Sequence, residues 1–314
     1  MLWHVHGSWT TAFVRGPHTY LVPVTPDRGP DGRGRARTFP WPASVVELSP
    51  QELAQADVDL VVLQRPHEEA LAARWLGRRP GRDLPAVYLE HNAPQGRIND
   101  LRHPVADRPD LTLVHVTAFN DLFWDAGSTR RRVIEHGIVD PGHRYTGELP
   151  HLAAVVNEPV RRARVTGTDL LPAFAAAATL DVFGMGVDAL PDDHVSGRRF
   201  VDLPQERMHD ELSRRRVYVH PPRWTSLGLS LIEAMHLGMP VVALATTEAP
   251  VAVPDDAGVL STRVEDLIDA ARRFVAEPEA AAACGKRGRA AALRRYGLQR
   301  FLGDWDRLLR EVTA

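Results

Sequence analysis

One stretch, Val217 to Leu244, constrains the fold more than any other: VYVHPPRWTSLGLSLIEAMHLGMPVVAL. It reads as strand, loop, helix, strand. Val217 to Val219 is a short β-branched and aromatic run, and Pro221-Pro222 stops it. Leu227, Leu231, Ala234, Met235 and Leu237 recur at helical spacing, which predicts a helix to about Leu237. Gly238 fits the C-terminal cap, Pro240 cannot continue the helix, and Val241 to Leu244 restarts a buried strand. The small polar loop Arg223-Trp224-Thr225-Ser226 leads through Leu227 into Gly228 and Leu229 at the helix start. Free backbone N–H groups there form a site for anions, and a glycine allows close approach. Glu233 lies about a turn and a half further on, at about 1.5 Å rise per residue, where it can accept from a pair of hydroxyls such as a ribose diol.

Strands and helices alternate on both sides of this stretch. Short apolar runs at Leu2 to His6, Tyr20 to Val24, Asp59 to Leu63, Pro85 to Leu89, Leu111 to Thr117 and Val133 to Ile138 predict strands. PDRGPDGRGRARTFPWP is a loop by composition, 68–76 reads as a helix, and AFNDLFWDAG reads as a capped helix. Very little helix is expected after His6-Gly7-Ser8. Asp140 to Pro150, rich in Gly and Pro, reads as an interdomain linker. Beyond it come strands at Leu152 to Val156, Leu180 to Gly184 and Phe200 to Leu203, with PQERMHDELSRRR as an amphipathic helix. Thr166 or Thr168 can cap a helix beginning near Asp169. Helices close the chain at Val264 to Val275, Pro278 to Tyr296 and Gly297 to Val312. Alternation of this kind predicts two doubly wound parallel sheets in an α/β protein. At 314 residues there is room for both.

Charge and composition narrow the function classes. The 38 basic and 40 acidic residues nearly balance, against nucleic acid or an anionic membrane as main partner. Cys284 is the single cysteine, which leaves no intrachain disulfide and no cysteine-based metal site. The first residues lack a basic segment followed by an apolar run, and no apolar run approaches the ~18 residues of a membrane span. A cytoplasmic enzyme is expected. Arginine replaces lysine almost throughout, as in proteins of GC-rich bacterial genomes, and Lys286 is the only lysine. It lies far from any strand end, so no pyridoxal phosphate Schiff base is expected.

The central stretch resembles the signature of retaining GT-B glycosyltransferases, glycosyltransferase family four in particular. Gly228, Leu229, Glu233, Ala234, Met235, Gly238, Pro240, Val241 and Val242 all fall on that pattern. Thr225 stands where the family has a glutamate contacting the transferred sugar, and Leu227 replaces a phenylalanine. The resemblance implies two Rossmann-like domains facing a cleft, about 1–148 and 149–295. Residues 296–314 would form a helix crossing back to the first domain. It implies a glycosyltransferase that takes a nucleotide-diphosphate sugar donor and an unidentified acceptor. Retention of configuration and independence from metal or other cofactor follow from the same likeness.

Site residues follow from the resemblance in turn. His91, after the strand ending at Leu89, matches a histidine that faces the donor sugar; Glu90 is a second candidate there, and His136 a weaker one. Gly7 takes the place of a glycine pair after the first strand. Arg161, Arg162 and Arg164, with Gly167, occupy the loop where the family holds the donor diphosphate; Arg162 or Arg164 would stabilise the leaving group together with Ser226 to Leu229. Gly184 ends a strand beside the base, and Glu233 would hold the ribose. Asp57-Val58-Asp59 precedes its strand and Asp304-Trp305-Asp306 lies in the last helix, so neither reads as a metal motif. Two alternatives stay open: a catalytically silent module that binds a nucleotide or a partner, which Thr225 and the abbreviated glycine loop motivate, and a sugar-nucleotide epimerase, which shares the fold but for which Thr225 removes an obvious acid/base carboxylate.

Overall fold

A computed structural model describes every residue from Met1 to Ala314. The chain forms two compact units, Met1–Val139 with Leu298–Ala314, and Asp140–Gly297. No helix is long and apolar enough to cross a membrane.

In the first unit the order is α1 (Gly7–Phe13), β1 (Tyr20–Pro23), β2 (Val45–Leu48), α2 (Pro50–Leu53), β3 (Val61–Leu63), α3 (Glu68–Leu76), β4 (Ala86–Glu90), β5 (Thr112–His115), α4 (Ala118–Phe123) and β6 (Arg130–Val133). Strands β3-β4-β5-β6 form one parallel sheet, and β1 pairs with β2 in a second. Between the two sheets runs the segment expected as a strand from Leu2 to His6. It is reduced to one parallel bridge, Leu2 to Val62. The physical cause is visible one residue on, where the side chain of Gln64 takes over from the ladder and donates to Trp3 O at 2.8 Å. Strand β2 follows the 26–42 loop, in a stretch where no element was expected. The helix α1 that follows His6 is a full seven residues, more than the sequence suggested.

The last strand also starts earlier than expected. Arg130–Val133 pairs with β5, and its side chains are exposed along the sheet edge, so apolar content gave no signal for it. Ile134 to Ile138, expected as strand, leaves the sheet after one bond from Ile134 N to His115 O. From there the segment is held from α12 (Leu298–Thr313), whose Arg300 donates to Glu135 O at 3.0 Å and to His136 O. A β-carbon at Gly137 would sit 2.3 Å from Cβ of Phe301, so only glycine lets this helix approach. The same helix buries Trp305 against Trp9 and Phe13, with ring centroids 5.6 and 5.0 Å apart.

The second unit contains β7 (Leu149–Val155), α5 (Pro159–Arg162), α6 (Leu171–Ala177), β8 (Leu180–Gly184), β9 (Arg199–Val201), α7 (Gln205–Arg214), β10 (Arg215–His220), α8 (Leu229–Leu237), β11 (Val241–Leu244), α9 (Ala249–Ala252), β12 (Gly258–Ser261), α10 (Val264–Ala276) and α11 (Pro278–Arg295). Its six strands lie in the order β12-β11-β10-β7-β8-β9, all parallel. The order runs outward in both directions from β7 and β10. That reversal is the topological switch point of a doubly wound sheet, where ligands bind beyond the carboxyl ends of the strands. The core beneath is Leu152, Ala154, Val182, Val217, Val219 and Val242 against Phe174 and Phe274. Helix α8 ends as expected, with Gly238 in the left-handed region at φ 88°.

The expected threonine cap near Asp169 is absent. Thr168 Oγ1 donates to Pro159 O at 2.8 Å and Thr166 Oγ1 to Ala163 O at 3.1 Å. Both hydroxyls tie the loop to itself, and α6 starts later, at Leu171, with no side-chain cap. Deeper in the unit, at the opposite end of the sheet from the switch point, Asp181 and Arg215 form a buried pair. Arg215 Nε donates to Asp181 Oδ2 at 2.7 Å, and its guanidinium lies over the rings of Phe183 and Phe200 at 5.4 and 4.8 Å.

Candidate functional site

Three loops at the carboxyl ends of β7, β10 and β11 meet at the switch point. The amides of Arg223 and Trp224 donate to Val165 O at 2.9 and 3.3 Å, joining the loop after β10 to the loop after β7. Thr246 Oγ1 donates to Pro222 O at 3.0 Å, which brings in the loop after β11. Gly167 makes the first contact possible: its φ is 70°, and a β-carbon there would sit 2.0 Å from Pro221 O.

At the centre is the start of α8. Gly228 is its N-cap, with extended backbone and no side chain to cap the first amides. The amide of Leu231 donates to Gly228 O at 3.0 Å, and those of Leu229 and Ser230 remain available to a ligand. The turn rests on His220, the last residue of β10, whose imidazole Cε1 lies 2.3 Å from where a β-carbon of residue 228 would be. His220 is buried, and burial pushes its pKa down to about 3, so the ring is neutral. Tyr218 Oη donates to Ser230 Oγ at 2.9 Å in the first helical turn and lies 3.3 Å from His220 Nδ1. Strand β10 thus fixes the helix N-terminus through two side chains. Gly228→Ala is expected to weaken anion binding at the helix start roughly tenfold, a cost of ~1.4 kcal/mol in the usual range for overpacking. Part of the loss should return in the His220→Ala background; titration calorimetry on both variants measures this.

The arginines after β7 divide sharply. Arg161 pairs with Glu158, and Arg164 with Asp169 at 2.9 Å; both arginines are largely exposed. Asp169 also accepts from Arg223, at 2.5 and 3.0 Å, so it latches the two loops together. Arg162 alone of the three has no carboxylate partner and is half-buried. Burial first, and then Arg161, pull its pKa below the usual arginine value, and Glu158 opposes them.

Glu233 is 2% exposed on α8. Gln205 Nε2 of α7 donates to its Oε1 at 2.9 Å, and His209 Nε2 lies 3.7 Å from its Oε2. Ser226 and Leu227 are buried, whereas Thr225, Gly228 and Leu229 are half-buried. Gly184 ends β8 at φ 135°, and a β-carbon there would sit 2.1 Å from Val156 O. That position packs strand ends and tolerates only glycine.

In the first unit a separate cluster gathers at strand ends. His91, after β4, lies against His6 with centroids 4.1 Å apart and planes tilted by 48°, and meets Trp9 edge-on at 5.1 Å. Its Nε2 lies 3.0 Å from Gln64 Oε1. Burial foremost, then His6 and His136, hold His91 well below the ordinary histidine pKa. His136 is likewise pushed down to about 3 by burial, His6 and Arg300. Glu90, the second candidate, turns inward: His103 Nε2 lies 3.0 Å from its Oε2, and its Oε1 accepts from Asn92 N at 2.6 Å. Its role is to hold the loop that carries His91. Beside Gly7 lies the Phe39 ring, 2.5 Å from where a β-carbon would be at that position. Gln64, His220 and Gln205 were missed in the sequence. The polar residue directly after an apolar strand that marked His91 marks Gln64 equally, and His220 is the polar end of a strand; nothing marked Gln205.

Residues 198–291 match the family profile described as glycosyl transferases group 1. No curated protein sequence matches the chain. Sucrose-phosphate synthase from Thermosynechococcus elongatus is similar in structure, with 15% identity, a TM-score of 0.73, and 99% of this chain and 98% of that one covered. Anabaena HepE, solved in complex with UDP and glucose, gives 15% identity, a TM-score of 0.72 and 98% coverage of both chains. The fold is GT-B. A TarM mutant from S. aureus, in complex with UDP, Fondaparinux and alpha-GlcNAc-glycerol, is 16% identical with a TM-score of 0.63. The likeness covers 80% of this chain and 55% of TarM, so the chain spans about half of that relative's length. In this GT-B chain the profile match spans the α8 signature, Gly228 to Val242.

Proposed function

We propose that the protein transfers a sugar from a nucleotide-diphosphate donor to an acceptor hydroxyl. The observation that carries this reading is the uncapped start of α8, seated at the switch point within the stretch that matches glycosyl transferases group 1. In the proposed reaction the anomeric carbon–oxygen bond to the diphosphate breaks and a bond to the acceptor oxygen forms. Negative charge builds on the departing diphosphate, whose oxygen takes up the proton that the acceptor hydroxyl gives up. The amides of Ser226 to Leu229, leading into α8, and the guanidinium of Arg162 take up that charge, as preorganised donors do. Glu233, held by Gln205, accepts from the ribose hydroxyls, and Gly184 borders the base. In the first unit His91 is assigned to a sugar hydroxyl.

Retention of configuration and independence from metal are part of the proposal. The acidic motifs that could suggest a metal are otherwise placed. Asp57 and Asp59 precede β3, Asp304 is paired with Arg300 and Arg307, and Asp306 with His18 and Arg310. A cytoplasmic setting is part of the proposal. Thr225, in place of the family's sugar-contacting glutamate, supports a second reading, a silent module that binds a nucleotide without turning it over.

A thermal-shift screen with UDP, GDP, ADP, dTDP and CDP and their common sugar conjugates tests the reading. One nucleotide in large excess is expected to stabilise the protein by a few kcal/mol. Glu233→Ala should abolish most of that shift, and an unchanged dissociation constant in this variant removes the ribose assignment. Binding without transfer or hydrolysis across the donor panel selects the silent module.

A further inference from the structure

Gln64 has two hydrogen bonds whose directions are forced. Its Nε2 donates to Trp3 O at 2.8 Å, and a carbonyl oxygen can only accept. The amide is therefore oriented with Oε1 toward His91, 3.0 Å from Nε2 of that ring. An amide oxygen also only accepts, so His91 Nε2 must carry the proton. In a neutral ring the proton is then absent from Nδ1, which has no partner in the chain. The amide is not free to turn round: Gln64 is 4% exposed, and its own backbone N–H donates to Glu68 Oε2 at 2.6 Å.

The geometry assigns to Gln64 a positioning role, fixing His91 as the Nε2–H tautomer so that Nδ1 is a pure acceptor for a hydroxyl hydrogen of the sugar. This rests on the reading of His91 as the residue of the first unit that meets the sugar. It adds a chemical requirement: the ligand must bring an O–H to that position, and a fluorine or a methylated oxygen there does not serve. The ring's other neighbours do not supply an alternative. His6 lies tilted against it at 48°, Trp9 meets it edge-on, and His136 is buried, while Glu68 and Arg65 pair with each other beyond Gln64 at 2.6 Å.

The tautomer is measured by nitrogen-15 NMR of histidine side chains in the full chain, with the His91 signals identified by their loss in His91→Asn. The wild-type ring is expected as Nε2–H. Gln64→Glu keeps an acceptor at that place, whether it is ionised or protonated and donating to Trp3, and should keep the proton on Nε2. Gln64→Leu removes the acceptor and should give a mixture that includes Nδ1–H. A wild-type ring protonated on Nδ1, or a Gln64→Leu ring unchanged from wild type, overturns the assignment. The hydroxyl is tested with UDP-glucose as probe and UDP as control. UDP-glucose, and not UDP, is expected to shift the His91 Nδ1 resonance in the direction of hydrogen bonding. Binding of UDP-glucose with no movement of Nδ1 overturns the acceptor role. Failure of every nucleotide to bind instead overturns the transferase reading and leaves the tautomer result standing. If Gln64→Leu fails to fold, Gln64→Met supplies the variant without an amide.

Discussion

Arg162→Ala is expected to lower turnover roughly 10²–10³-fold, the range found when one preorganised donor to developing charge is removed. Arg164→Ala should lower it only a few-fold. The two residues look equivalent in sequence, and their surroundings separate them. Arg164 is 74% exposed and spends its charge on Asp169, which also holds Arg223. Arg162 is half-buried, and the nearest opposite charge, Glu158, is engaged by Arg161. A cation moved out of water without a partner is costly. In the proposed reaction a diphosphate arriving at the switch point would offset that cost, and most fully as the leaving group gains charge. The effect should therefore fall on kcat more than on the dissociation constant for the nucleotide. Steady-state kinetics with the donor selected by the screen, together with UDP titration, separate the two. Equal losses from Arg162→Ala and Arg164→Ala would sink the assignment.

Asp181→Ala is expected to destabilise the second unit by about 3–5 kcal/mol, the usual cost of breaking a buried ion pair from one side. The carboxylate has no exposed surface and accepts from Arg215 Nε at 2.7 Å, His151 Nδ1 at 3.1 Å and Arg198 N at 2.6 Å. Without it, Arg215 keeps Glu211 at 2.6 Å but loses the partner on its Nε, at a side chain 2% exposed. The melting midpoint should fall by roughly 10 °C or more, read by calorimetry. Burial alone would raise the Asp181 pKa; the Arg198 amide, His151 and Arg215 outweigh it and hold the value below normal. A depressed carboxylate stabilises the fold above its unfolded pKa, and that contribution is lost as pH falls through the folded one. Wild type and Asp181→Ala should accordingly differ most near neutrality and converge as pH drops below about 4. Curves that stay parallel into acid would show that packing, and not the charge, carries the effect.

Periodicity made the sheets legible and left the partners hidden. The apolar spacing from Leu227 to Leu237, closed by Gly238, was enough to place α8, because its buried face is written into one contiguous segment. Residues Leu2 to His6 show where that signal misleads. Their composition is that of a strand, yet a distant side chain, Gln64, takes the ladder's place after one bridge. Strand β6 shows the opposite failure, since an exposed edge of three arginines carries no apolar pattern. At the candidate site the residue types were legible and their assignments were not. Which arginine is left without a carboxylate depends on Glu158 and Asp169, and the seat of Gly228 depends on His220 across the loop. Such contacts join residues whose order in the chain says nothing of their distance.

The course of the chain through its two units bears on how the protein is made. Translation delivers residues from the first onward, and domains tend to fold as they emerge. Here Asp140–Gly297 is one uninterrupted piece and can close on itself as soon as it has left the ribosome. The other unit lacks Leu298–Ala314 at that moment. Trp9 and Phe13 wait uncovered until Phe301 and Trp305 arrive. Of the two units, the one begun earlier is completed later, and a nascent chain stalled before residue 298 would expose that aromatic face to chaperones.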